Sequence, residues 1–115
     1  MSQSPPIVLS FAASDPSGGA GVQADILTLS SMGCHALSVI TAITVQDSLG
    51  IEGILAIDSD WVADQARRLL EDMPVDAFKI GVMGSVENIA AITSTLPRTP
   101  SLNTVTGMSS STQRA

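Results

Sequence analysis

Residues 7–25 read Ile7-Val8-Leu9-Ser10-Phe11-Ala12-Ala13-Ser14-Asp15-Pro16-Ser17-Gly18-Gly19-Ala20-Gly21-Val22-Gln23-Ala24-Asp25, and the architecture of the chain turns on them. Ile7 to Ala13 is a short apolar run that ends at a cluster of turn formers, which predicts a buried strand. Ser14-Asp15-Pro16-Ser17-Gly18-Gly19 supplies the turn chemistry. From Ala20 the spacing becomes helical: Val22, Ile26 and Leu29 fall near one face with Leu27 beside them, and Gly33 is placed to stop the helix. Strand, glycine-rich loop and helix form a unit from which parallel sheets are built. The same unit can hold a ligand, because the first N–H groups of a helix have no intrahelical partner and glycine allows close approach of the backbone.

The pattern continues outward. Leu37 to Val45 is rich in β-branched residues and predicts a strand buried on both faces. Gly50 and Gly53 bracket a break, and Ile54 to Ile57 reads as a short strand. Ser59 is placed to cap a helix running to about Glu71, with Val62, Ala66, Leu69 and Leu70 on its buried side and Asp60 and Asp64 in its first turns. Pro74 ends that helix. Ala77 to Met83 reads as the next strand, and Ser85 can cap a helix from Val86 to about Thr95. Strands alternating with helices predict an α/β fold of three layers, a mostly parallel sheet with helices on both faces. Leu102 to Val105 can begin a further strand. The stretch from 99 to 115 is rich in Ser and Thr, so the domain proper is placed at 1–98 with a frayed tail at 99–115.

Composition narrows the function classes. Of 115 residues, 44% are hydrophobic, 14% charged and 3% aromatic, so the chain is expected to pack densely around an aliphatic core. A net charge of −6 with five basic residues argues against a nucleic-acid or anionic-membrane surface. One cysteine, Cys34, excludes an intrachain disulfide and suits the cytoplasm. The N-terminal residues lack the pattern of a secretory signal, and no apolar run has the length of a membrane span.

The glycine loop alone leaves several readings open. Gly19-Ala20-Gly21-Val22-Gln23-Ala24 fits G-x-G-x-x-A, and Asp47 at the end of the next strand could take a ribose hydroxyl, as in a dinucleotide site. Against this, five residues intervene between strand and fingerprint. No Gly-Lys-Ser/Thr is present for a Walker loop. The plainest alternative is a tight strand-to-helix connection with no ligand.

Residues Ser14 to Asp25 resemble the N-terminal signature of the hydroxymethylpyrimidine/phosphomethylpyrimidine kinases of thiamine biosynthesis, which are ribokinase-like. Ser38-Val39-Ile40-Thr41-Ala42-Ile43-Thr44-Val45-Gln46-Asp47 is similar to the second strand of that family, and Phe78-Lys79-Ile80-Gly81-Val82-Met83 to its K-I-G strand. Order and spacing agree over about residues 7–95. The resemblance implies a phosphotransferase that uses ATP with Mg2+ to phosphorylate 4-amino-5-hydroxymethyl-2-methylpyrimidine and then its monophosphate, and it implies a homodimer. It places Gln46 against the pyrimidine, with Ala20, Thr44 and Val82 lining the pocket and Asp25 at the same site. A primary amide offers a donor beside an acceptor, which suits an aminopyrimidine edge. Read without the family, Gln46 is a polar strand end, Thr44 and Val82 are ordinary strand residues, Ala20 is a helix start and Asp25 is an exposed helix residue.

The chain departs from the family in three places. The resemblance implies a second Gly-Thr-Gly loop that handles the ATP phosphates and carries the catalytic Cys or Asp, and these 115 residues contain none. Asn103-Thr104-Val105-Thr106-Gly107-Met108 stands where the family places an Asp-Pro pair. Ala13 stands where the family often has glycine. The chain is therefore expected to be a truncated or frameshifted form, inactive alone, with no catalytic residue assigned. A non-catalytic pyrimidine-binding module and a fragment without function are the alternatives. Cys34 and His35 are read as structural and loop residues, and Asp58, Asp60, Asp64, Glu71 and Asp72 as a solvated acidic face.

Overall fold

The computed structural model describes residues 4–96 and the backbone of 104–106. Its elements run β1 (Ile7–Ser14), α1 (Gly21–Ser31), β2 (His35–Gln46), β3 (Ile51–Ala56), α2 (Ser59–Asp72), β4 (Ala77–Ile80), α3 (Val86–Thr95) and β5 (Thr104–Thr106). The five strands form one sheet in the order β3-β2-β1-β4-β5. The β1–β2, β1–β4 and β4–β5 pairs are parallel, and β2–β3 is an antiparallel hairpin.

The pleat sorts the side chains onto two faces. Leu9 and Phe11 of β1, Leu37 and Val39 of β2 and Phe78 of β4 point to one side, where they meet Val62 and Ala66 of α2 and Ile92 of α3. The rings of Phe11 and Phe78 stack with centroids 6.4 Å apart across the β1–β4 pair. Truncating either ring would open a cavity worth about 3–5 kcal/mol. Helix α1 lies on the opposite face, above Ser10 and Lys79, to which its Asp25 is bonded. That layering makes the sheet three-layered, as the alternation of elements predicts.

Several local expectations are corrected. β2 is buried on both faces only in part, because its ladder with β1 ends at Ser14↔Ile43 and the strand then runs on beside β3 alone; Ile43 and Val45 are exposed there. β3 begins at Ile51, earlier than the predicted Ile54. β4 ends at Ile80, so Val82 and Met83 belong to the connection into α3. The cap of α2 is Asp58 and not Ser59: its carboxylate accepts from the Asp60 amide at 2.9 Å. His35 opens β2 and is not a loop residue. The apolar stripe of α1 is only partly covered: Val22 is buried and Leu29 half-buried, while Ile26 is 37% and Leu27 67% exposed. The sheet face beneath α1 carries polar Ser10 and Lys79, so polar bonds hold this helix together with the Val22 contact.

Two glycines fix the turns. Gly33 follows α1 at φ 83°, the left-handed stop that the sequence predicts. Gly21, the first residue of α1, has φ 66°, and a Cβ there would drive into the Ala13 carbonyl oxygen and stand 3.0 Å from the Asp15 nitrogen. Only glycine lets α1 start this close to the end of β1.

Candidate functional site

β1 continues to β2 on one side and its other neighbour, β4, continues to β5 on the far side, so the connections leave the carboxyl ends of β1 and β4 in opposite directions. Open α/β sheets hold ligands at such switch points. A cavity of about 230 Å³ occupies this one. Ala20, Asp25, Thr44, Gln46 and Val82 all line it, so the structure brings the five candidate residues together from α1 and its cap, β2 and the β4–α3 connection.

The loop between β1 and α1 is held by its own side chains. Asp15, 3% exposed, accepts from the Ser17 amide at 2.9 Å and the Ser17 hydroxyl at 2.8 Å. Gln23 reaches back from α1: its Oε1 accepts from the Asp15 amide and its Nε2 donates to the Ser14 hydroxyl, both at 2.8 Å. Ala20 then takes the N-cap position in extended conformation with no side-chain cap, presenting a methyl group where a capping residue would place an oxygen.

The two flanking strands are tied to the same frame. Thr44 spends its hydroxyl on the Ser14 carbonyl at 2.7 Å, leaving its methyl to the cavity wall. Thr41 donates to the Val82 carbonyl at 2.6 Å. Asn88, fully buried, shares the two protons of Nδ2 among the carbonyls of Thr41, Ile57 and Met83, at 3.1, 3.1 and 2.9 Å. These bonds fix where Val82 stands against β2.

Two enclosed side-chain oxygens have no hydrogen-bond partner among the described residues, Gln46 Oε1 and Asn88 Oδ1, and of the two residues only Gln46 lines the cavity. A buried acceptor left unpaired costs about 1–3 kcal/mol, which a ligand donor would recover.

Asp25 is not the exposed helix residue of the plain reading. It accepts from the Ser10 hydroxyl at 2.6 Å, and Lys79 Nζ lies 2.9 Å from both of its carboxylate oxygens. Both partners of this ion pair are largely enclosed, Lys79 at 23% and Asp25 at 15% side-chain exposure. Sequence reasoning passed over Lys79, Ser10, Asp15 and Gln23 as site components. A lysine inside Ala77-Phe78-Lys79-Ile80 was the available signal, because a cation in a buried strand needs a counterion.

Other residues that the sequence singled out have local duties. Asp47 Oδ1 accepts from the amides of Leu49 at 2.8 Å and Gly50 at 3.3 Å, building the β2–β3 turn, so this oxygen of the proposed ribose acceptor is already engaged. In the acidic face, Arg67 pairs with Asp64 at 3.3 Å and Glu71 at 3.7 Å at the surface. Among the described residues no three His, Cys, Asp or Glu converge as metal ligands, and no helix is long and apolar enough to cross a membrane.

A family model described as phosphomethylpyrimidine kinase matches residues 15–107. A hydroxymethylpyrimidine/phosphomethylpyrimidine kinase of Streptomyces coelicolor is 40% identical over 95 residues, 83% of this chain and 35% of that protein. The crystal structure of a phosphomethylpyrimidine kinase from Clostridium difficile 630 superposes with a TM-score of 0.76 at 41% identity, covering 79% of this chain and 39% of that one. A pyridoxal kinase from Staphylococcus aureus in complex with AMP-PCP and pyridoxal superposes with a TM-score of 0.78 at 28% identity, covering 90% and 39%. The chain spans about a third of the length of the curated relatives it matches.

Proposed function

Since the chain belongs to the phosphomethylpyrimidine kinase family, a family of ribokinase-like phosphotransferases, we propose that its cavity binds 4-amino-5-hydroxymethyl-2-methylpyrimidine, the substrate that the whole enzyme would phosphorylate from ATP in thiamine biosynthesis. The observation that carries this reading is the convergence on one cavity of Gln46, whose amide oxygen has no partner among the described residues, with Ala20, Asp25, Thr44 and Val82. An exocyclic amine would donate to that oxygen while the neighbouring ring nitrogen accepts from the Gln46 Nε2, a two-bond contact worth about 1–3 kcal/mol. Ala20, Thr44 and Val82 would supply apolar walls for the ring, and Asp25 an acceptor on the opposite side.

The nucleotide has a separate place in this reading. The 115 residues contain no Gly-Thr-Gly loop, so the groups that would hold the phosphates of ATP and stabilise the transferring phosphoryl group are assigned to none of them. The described residues offer no converging carboxylates for Mg2+. We therefore assign pyrimidine binding to residues 1–98 and no turnover to this chain alone; phosphorylated pyrimidine above a no-enzyme control would refute the latter. A dimer and a cytoplasmic location are part of the same proposal.

The test is calorimetric titration of the chain with the hydroxymethylpyrimidine, beside Gln46→Leu. Binding that Gln46→Leu weakens about tenfold to a hundredfold supports the reading. Binding that the substitution leaves unchanged would assign the Gln46 amide no part in it, and no binding by the native chain would refute the site.

A further inference from the structure

The cavity wall opposite Gln46 contains an ion pair whose hydrogen-bonding capacity is only partly used. A carboxylate offers about four lone-pair sites and an ammonium three protons. At Asp25, Lys79 occupies one site on each oxygen and Ser10 a second site on Oδ2. Among the described residues that leaves one acceptor site on Asp25 and one N–H on Lys79. Both residues line the cavity, and each keeps part of its side chain exposed.

As a mere clasp between α1 and β4 the pair is a poor solution. Apolar side chains of the same volume hold such seams equally well, because desolvating two charges offsets much of their attraction. The apolar alternative was open to this seam, since the cavity floor beside it is Ala12, Ala13 and Ala24. Glycine at 81 leaves room for the ammonium: a Cβ there would stand 3.2 Å from Lys79 Nζ.

We propose that Lys79 is a positioning residue for ligand recognition, holding the Asp25 carboxylate so that its one free lone pair accepts a polar hydrogen of the bound pyrimidine. This rests on the pyrimidine reading above. Ser10 anchors Oδ2 from the sheet, Lys79 spans both oxygens, and the two together fix the plane of the carboxylate and with it the direction of the free site. Without Lys79 the carboxylate rotates about its last torsion and the acceptor loses its aim.

The test is a double-mutant cycle read by calorimetry on the whole chain, with 4-amino-5-hydroxymethyl-2-methylpyrimidine as the probe. Lys79→Met and Asp25→Asn should each weaken binding at least tenfold, and the double variant should bind no worse than Asp25→Asn alone, because Lys79 acts through Asp25. Lys79→Arg should retain affinity within about threefold to fivefold, and Ser10→Ala, which keeps the ion pair, should lose less than Lys79→Met. A multiplicative loss in the double variant, or Lys79→Met affinity within twofold of native, overturns the proposal. If Lys79→Met gives no cooperative melt, Asp25→Asn decides: unchanged affinity there overturns it, and a tenfold loss with the melt intact supports it. A native chain that binds no pyrimidine fails the functional reading itself, a result distinct from any of these.

Discussion

Replacing Gly21 by alanine should cost this protein much more than replacing Gly18, although both glycines adopt positive φ. Gly18 has φ 79° and open space around its would-be Cβ, so Gly18→Ala carries the left-handed penalty alone, about 1–2 kcal/mol. Gly21 has φ 66° and the same penalty, but its Cβ would also collide with the Ala13 carbonyl oxygen and press on Asp15, 3.0 Å from its nitrogen and 3.2 Å from its Cβ. None of these is the flexible end of a side chain. Relief requires moving the first turn of α1 off β1, an overpacking distortion worth a further 1–3 kcal/mol or so. Gly21→Ala should therefore destabilise by about 2–5 kcal/mol. Urea melts followed by circular dichroism measure both variants, and each kcal/mol corresponds to a midpoint shift of roughly 4–8 °C in a thermal scan of a domain this size. Equal losses, within about 0.5 kcal/mol, would refute the argument that steric approach of α1 to β1 makes position 21 special.

Other outcomes follow from the same contacts. Gln46→Leu should leave the stability of the unliganded protein within about 0.5 kcal/mol of native or above it, since Oε1 bonds no group among the described residues; a large loss in a urea melt would show that Gln46 is structural. Asn88→Ala should destabilise by about 2–4 kcal/mol by stripping a donor from three carbonyls, and Asn88→Asp should be worse at neutral pH because it turns an acceptor toward them. The order of the two in denaturant melts is the check. Asp58→Ala should cost about 1 kcal/mol and Ser59→Ala less than half of that, which separates the true cap of α2 from its neighbour.

The main elements were legible because their patterns are local. The apolar run Ile7–Ala13, the turn cluster after it and the helical spacing of α2 each state their class within a dozen residues. The cavity was legible through resemblance: nothing in the spacing of Ala20, Thr44, Gln46 and Val82 requires them to meet. What the sequence hid depends on partners far along the chain. Lys79 meets Asp25 from 54 residues away, and Thr41 meets Val82 from 41. The exposure of Ile43 and Val45 was equally hidden, because it depends on where β1 stops and not on the composition of β2. Asp58 was missed as a cap because Ser59 has the same propensity one position later, and only the geometry of the first turn separates them.

The strand order has a consequence for synthesis. β1 is the central strand, yet on one edge its partners are the residues of β4, 69 positions further along. On a ribosome adding about 5–20 residues per second, that edge waits roughly 3–14 s for its partner. During that interval Leu9 and Phe11 lack the cover of Phe78 and Ile92, and the growing chain has the β1–α1–β2 unit, the β2–β3 hairpin and, once residue 72 is made, α2 to shield them. The glycine loop, which closes within the first unit, is thus in place well before the far wall of its own cavity exists. A nascent chain held at about residue 60 would have the loop and Gln46 without Lys79 and Val82, and ligand binding should begin only once β4 and its connection to α3 have emerged.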